Sequence, residues 1–258
     1  MHRRALLELF ARADAAPSPP RLGGMARPNG VVIVSERFWA FAGVDGSLCE
    51  GEMPRTPQAL RRVPLVRGLI RLGSSISPIV RRDGAVRSGE RWFLLAVLLA
   101  PLAVFFLPAS MQFAAGLLLS AVMLAWVLRG RTLRLHGAEH RAIAAVEQRA
   151  LLSTWTGSAL PSRFAARCGT NFAALVLPVA AVFDRVAWSL PAAAVAILSL
   201  SLTMELWAAI EGRRHRFARA FLIPGLLLQR LTTREPRLDE TQVALRATAS
   251  VLRRELEL

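Results

Sequence analysis

Long apolar blocks fill the middle of the chain, while its two ends mix apolar and polar positions at short spacing. Four stretches pass the length test for a helix crossing roughly 30 Å of hydrocarbon. They run from Trp92 to Pro108, from Met111 to Leu128, from about Asn171 to Phe183, and from Val186 to Ile210. The first two carry no charge and are separated only by Ala109 and Ser110, which predicts a tight helical hairpin. The third is shorter and extends back to Phe164 on a generous reading. The fourth holds one acid, Glu205. The pattern predicts a mostly α, polytopic membrane protein with four transmembrane helices.

The flanking segments predict smaller elements. Residues 1–28 read as a mobile segment, with mixed charge, three prolines and then Gly23 and Gly24. No continuous apolar core of a leader peptide interrupts them. Val31 to Phe41 is rich in β-branched and aromatic residues, and the turn signal Val44–Ser47 follows, so residues 29–91 are expected to open with a small β-hairpin. Residues 60–80 mix arginines with apolar side chains. They form either a helix at the membrane surface or a helix packed on the soluble part. Residues 92–128 and 171–210 are the two transmembrane hairpins, and 129–170 the loop between them. In 211–258, "FLIPGLLLQRL" is too short to cross and reads as interfacial or re-entrant. From Asp239 a terminal helix follows, with Val243, Ala247 and Val251 at helical spacing and acids at its start, where the helix dipole favours them.

Charge orients these blocks. Net charge is +15, every basic residue among the 33 is arginine, and charged residues make up only 20% against 53% hydrophobic. Fifteen arginines precede the first span, none separates the first from the second, seven lie between the second and third, one between the third and fourth, and ten follow. That alternation predicts cytoplasmic termini and a cytoplasmic loop at 129–170. It also accounts for the basic total without nucleic acid. Heavy use of Ala, Arg and Leu with no lysine or tyrosine fits a GC-rich bacterial genome, hence a bacterial inner membrane. Cys49 and Cys168 both fall on the cytoplasmic side of this arrangement, where a structural disulfide is not expected.

One cluster has the composition of a metal site. "HGAEH" puts His136 and His140 four residues apart with Glu139 beside the second, an H-x-x-E-H order. Side chains four apart share a helix face, so both imidazoles can hold one divalent ion, zinc by ligand type, with Glu139 as base. Glu147 on the same face and Glu205 in the fourth span are the candidates to complete the shell. The competing reading makes His136 and Glu139 structural hydrogen-bonding partners and pairs Glu205 with Arg134 or Arg167. "RCGT" adds Arg167, Cys168 and Thr170: Cys168 is a soft ligand or nucleophile, or simply packs where the third span begins. "LTTREP" caps the final helix or contacts the loops beside the membrane. No phosphate loop, dinucleotide fingerprint or serine-hydrolase elbow is present.

These segments resemble the YqhQ-like family, bacterial membrane proteins predicted to be metal-dependent enzymes. "HGAEHRAIAAVE" is similar to the family's H-G-A-E-H-K segment, which also ends in a glutamate at the position of Glu147. "RCGTNF" is similar to R-C-G-T-S-F, and "PGLLLQRLTTREP" to P-G-L-W-L-Q-x-L-T-T-R-E-P. Glu205 falls where the family has a glutamate in its last span. The family's opening G-G-Q-A-V-I-E-G-V-M-M-R element is reduced here to "GGMARPNG", and its histidine and proline before R-C-G-T are Ala165 and Ala166. The resemblance implies a metal-dependent, hydrolase-type enzyme at the cytoplasmic membrane face, in a divergent member. The alternative is a non-catalytic scaffold or assembly factor whose partners are membrane lipid, another membrane protein or a second copy of the chain.

Overall fold

The computed structural model describes residues 3–55, 58–80, 91–92, 95–96, 99, 104, 107–127, 130–186, 189–211 and 220–257. The first expected span, Trp92 to Pro108, falls largely outside them. Among the described residues the chain is mostly helical, with a four-stranded antiparallel sheet near its N-terminus.

The sheet is larger than the hairpin expected from the sequence. Strands β1 (Gly23–Arg27), β2 (Gly30–Val34), β3 (Phe38–Gly43) and β4 (Leu48–Glu52) form a meander in the order β1-β2-β3-β4. The Val44–Ser47 signal is the β3–β4 turn: Gly46 takes φ +86°, and the Gly43 amide donates to the Ser47 carbonyl at 2.8 Å. β1 has few β-branched residues, and only pairing with the Val/Ile face of β2 holds it extended. Nor are residues 1–28 uniformly structureless. Helix α1 (Arg3–Ala15) buries Leu6, Leu9 and Phe10, three apolar positions at helical spacing.

Short α2 (Gln58–Arg62) leads into α3 (Val66–Val80). Helix α4 (Ala109–Val127) is followed by α5 (Gly130–Glu147) and α6 (Leu151–Thr156). Then come α7 (Gly169–Val186), α8 (Ala192–Glu211), α9 (Ile223–Thr232) and α10 (Leu238–Leu256). Helix α10 starts where the sequence places the terminal helix. Glu240 accepts from the Arg237 amide at 2.9 Å and holds Arg134 of α5 at 2.7 Å, which ties the helix start to α5.

Two different environments result. One face of the sheet (Val31, Ile33, Phe38, Ala40, Ala42) packs with α1, α5, α6 and α10 in a single apolar core. In that core α5 and α10 meet through alanines, which lets the helices approach closely. Elsewhere α7 packs on α8, α3 on α8 and α9 on α7. These helices leave large apolar side chains outside: Leu177 and Val186 are each 72% exposed and Ile197 52%. Apolar surface of that kind is costly in water and matches hydrocarbon.

Among the described residues, one helix is long and apolar enough to cross a membrane, over Ala193–Ile210. Two shorter apolar stretches, Ser110–Leu119 and Gly169–Phe183, lie in α4 and α7. At 1.5 Å per residue the second covers only about 22 Å before Asp184 and Arg185 end it, short of the hydrocarbon thickness. The four crossings expected from the sequence are thus supported at one.

Candidate metal centre

Helix α5 brings His136, Glu139 and His140 to its buried side. The sequence makes this possible through Gly137 and Ala138, which let the 233–236 segment lie directly on the helix. The Arg234 amide donates to the Leu133 carbonyl at 2.9 Å, and a Cβ on Gly137 would overlap the Arg234 carbonyl oxygen. The segment 161–168 covers the other flank. Arg141 is nearly buried and donates from Nε to the Pro161 carbonyl at 3.0 Å, while its terminal nitrogen meets Glu235. Arg163 reaches the same carboxylate at 3.2 Å. Gln229 of α9 pairs with the Ala165 backbone on both sides, donating to its carbonyl at 2.8 Å and accepting from its amide at 2.9 Å. Asn171 secures the Ala165 and Ala166 carbonyls at 3.0 and 2.8 Å.

These braces fix the two imidazoles. His136 Nδ1 lies 2.8 Å from the Thr232 carbonyl, and His140 Nδ1 lies 2.6 Å from the Arg163 carbonyl. A carbonyl only accepts, so each Nδ1 carries the hydrogen and each Nε2 presents its lone pair. The rings meet edge to face, centroids 4.5 Å apart. His136 Nε2 is 3.3 Å from the Cys168 sulfur. One ligand atom from each of His136, His140 and Cys168 lies within 4.8 Å of the others. His140 Nε2 is buried without a hydrogen-bond partner, and so is Glu139 Oε2.

Burial dominates the electrostatics. It pushes the Glu139 carboxyl up to about 8, against the opposing hydrogen bond from the Ala26 backbone. It pulls His140 down to about 3, helped by His136 and resisted by the Arg163 carbonyl. His136 moves down for the same first reason, with the Thr232 carbonyl opposing. Cys168 is pushed up to about 11 by burial and then by Glu139, while Thr170 works the other way. Thr170 does so through its hydroxyl at 3.1 Å and its amide at 3.4 Å from the sulfur. Both imidazoles are therefore neutral near pH 7, the form that ligates metal.

The structure brings together His136, His140 and Cys168, with Glu139 on the same helix turn and Thr170 on the sulfur. It does not bring in Glu147 or Glu205, the two acids expected to complete the shell. Glu147 pairs with Arg167 at 2.9 Å. It shares a face with His136 but lies eleven residues on, about 16 Å along the axis, and sharing a face is not reach. Glu205 accepts from Arg67 Nε at 2.8 and 2.9 Å and from the Leu65 amide at 3.2 Å. Its arginine is thus Arg67, and neither Arg134 nor Arg167. Cys168 does more than pack where the third apolar helix begins, since its sulfur faces His136. The anchoring carbonyls of Thr232 and Arg163 carry no side-chain signature. The sequence trace of the first is the density of polar residues in "LTTREP", and the Arg163 carbonyl, in "PSRFAA", leaves none.

The family model described as "Protein of unknown function (DUF1385)" matches residues 93–254. That stretch includes the whole cluster and leaves out the sheet and α1. No curated protein and no solved structure matches the chain.

Proposed function

The chain belongs to this family of unknown function, and from the geometry of the cluster we propose that it is a membrane-bound, metal-dependent hydrolase, a divergent YqhQ-like protein. His136, His140 and Cys168 hold the ion at the cytoplasmic face. Two Nδ1–H groups tied to main-chain carbonyls carry this reading, because they leave both Nε2 lone pairs to a ligand, one of them 3.3 Å from a thiol, in a cluster whose ligand atoms lie within 4.8 Å. An imidazole whose other nitrogen is fixed by a carbonyl is the usual arrangement around a protein-bound metal. In a tetrahedral zinc site, sulfur and nitrogen ligands stand about 3.5 Å apart. The 3.3 Å between Cys168 and His136 already fits. The unpartnered His140 Nε2 is a costly thing to bury without a ligand.

Two histidines and a cysteine favour zinc and leave a fourth position open. The ion supplies Lewis acidity and an activated water for hydrolysis. Thr170 favours the thiolate of Cys168 by donating to it twice. Glu139, on the same helix turn as both histidines and with its Oε2 unpartnered, serves as the general base and then the acid. Placement against the membrane is supported by the span-length helix Ala193–Ile210 and by the arginine alternation.

Metal analysis of the detergent-purified chain tests this. About one zinc per chain is expected, lost in His140→Ala and in Cys168→Ser and kept in Glu147→Gln and Glu205→Gln. Equal, substoichiometric metal in all five proteins rules the site out.

A further inference from the structure

A cavity of about 390 Å³ lies between the sheet and the apolar helices. That is within the range of about 300–1,000 Å³ for small-ligand sites. Its walls are apolar: Met25 and Val32 from the sheet, Leu72 from α3, Phe172 from α7, Met204 and Trp207 from α8. Two cations, Arg71 and Arg167, also line it, and among the described residues no acid does. Arg167 also pairs with Glu147 at 2.9 Å, so a phosphate there would share it with that carboxylate, while Glu205 is held by Arg67. The cavity is continuous in its lining with two smaller ones of about 310 and 290 Å³. Both contain Arg21, Arg67 and Arg71, with Glu36 in the first and Glu205 in the second.

The same cavity touches the metal cluster through glycines. Gly24 lines it, and a Cβ there would stand 2.7 Å from Glu139 Cγ, so only a bare backbone separates the space from the carboxyl. Gly169 lines it next to Cys168, with Arg167 on the other side of that cysteine. An occupant with its chain along Phe172 and Trp207 would present its polar end to Arg71, Arg167 and the Glu139 side of the cluster.

We propose that this cavity binds an amphiphile bearing a phosphate head, with the phosphate on Arg71 and Arg167 and the chain between α7 and α8. As a claim about substrate it rests on the metal reading, whereas as a claim about ligand it does not. A soluble phosphate has no use for the apolar wall, and an uncharged lipid none for two guanidinium groups. Forked guanidinium donors match phosphate oxygens in pairs. Phe172 and Trp207, with ring centroids 6.0 Å apart and planes tilted by 50°, give a chain an angled aromatic wall to pack against.

Calorimetric titration of the full chain in neutral maltoside detergent with dodecyl phosphate is the test. The detergent supplies an uncharged competitor of equal chain length, so head-group preference is what is read. Saturable binding is expected, with inorganic phosphate failing to displace it. Arg71→Gln should weaken it about tenfold, as for one lost charge-assisted contact, and leave the zinc content unchanged. His140→Ala should lose zinc and keep the binding, which separates the two readings. Absence of saturable binding to the parent protein overturns the proposal, whether or not any variant folds. Displacement by inorganic phosphate at similar concentration does so as well. Zinc lost everywhere with dodecyl phosphate still bound overturns the metal reading and leaves this one standing.

Discussion

Metal-stripped protein is expected to lose about 1 kcal/mol of stability between pH 6.5 and pH 8, and Glu139→Gln is expected to abolish that decline. The Glu139 carboxyl sits at about 8 in the folded chain against 4.5 when exposed, because it is buried. A folded pKa above the unfolded one means the folded state holds the proton more tightly. Its contribution is complete below pH 4.5 and drains away as pH rises to 8. The histidines run the other way. Their folded pKa values lie below 6.5, so their contribution is present above pH 6.5 and is lost as pH falls. Between pH 4.5 and 6.5 Glu139 and His140 oppose each other and the parent profile is nearly flat or gently rising. Above 6.5 the histidine contribution fades and Glu139 comes to dominate, with a slope that stays below about 1.36 kcal/mol per pH unit and halves at its own pKa. In Glu139→Gln the acid-side slope from the histidines stands uncovered and the alkaline slope vanishes. The amide places a buried donor without a partner, which costs about 1–3 kcal/mol at every pH, so the slope and not the level is diagnostic. Denaturant unfolding of chelator-treated protein across pH 5 to 8 reads it. Identical slopes in parent and variant would place Glu139 in contact with water. Zinc-loaded variant protein should keep its metal and lose hydrolysis about 10²–10⁴-fold.

What the sequence made legible follows from how local each signal is. His136, Glu139 and His140 stand within five residues on one helix, and a spacing of four is enough to place two imidazoles together. The terminal helix announces itself through Asp239, Glu240 and the apolar stripe Val243–Ala247–Val251. The β3–β4 turn does so through Asp45 and Gly46. Each of these depends on one or two turns of chain.

The misses are long-range. β1 is a strand because β2 is beside it, and "GGMAR" has no strand propensity to betray that. The prolines that follow residues 3–15 mask a helix there, although Leu6, Leu9 and Phe10 already recur as one face. The partner of Glu205 is Arg67, 138 positions away, where charge pairing alone could have offered any of several arginines. Cys168 joins the histidines only because Gln229, Asn171 and Arg141 fold the 161–168 segment back onto α5. Glu147 illustrates the converse error, in which periodicity gives direction without distance. The apolar runs identify where lipid or a core must be, but a run of about fifteen residues broken by Pro178 does not say which of the two.

Gly137→Ala is expected to destabilise the protein by about 3 kcal/mol, the upper end of what overpacking costs, and to weaken zinc binding about 10–100-fold, as for loss of a second partner of a ligating histidine. The methyl group would overlap the carbonyl oxygen of Arg234, and it would also stand 3.2 Å from Pro236 Cδ. These are main-chain and ring atoms with no rotamer to yield, so the 233–236 segment must lift from α5. Two bonds go with it: the Arg234 amide to Leu133 and, two residues earlier in the chain, the Thr232 carbonyl that fixes the His136 ring. Released, that ring can flip its tautomer and turn its lone pair away from Cys168. Helix propensity predicts the opposite sign, since alanine is about 1 kcal/mol better than glycine inside a helix. Gly73→Ala in α3, where a Cβ meets nothing within 4 Å, isolates that gain and should come out neutral to stabilising. If Gly137→Ala behaved like Gly73→Ala in unfolding and kept the parent's zinc, the contact between α5 and the 233–236 segment would not be what orients His136. The metal centre would then have to be held by α5 and the cysteine segment alone.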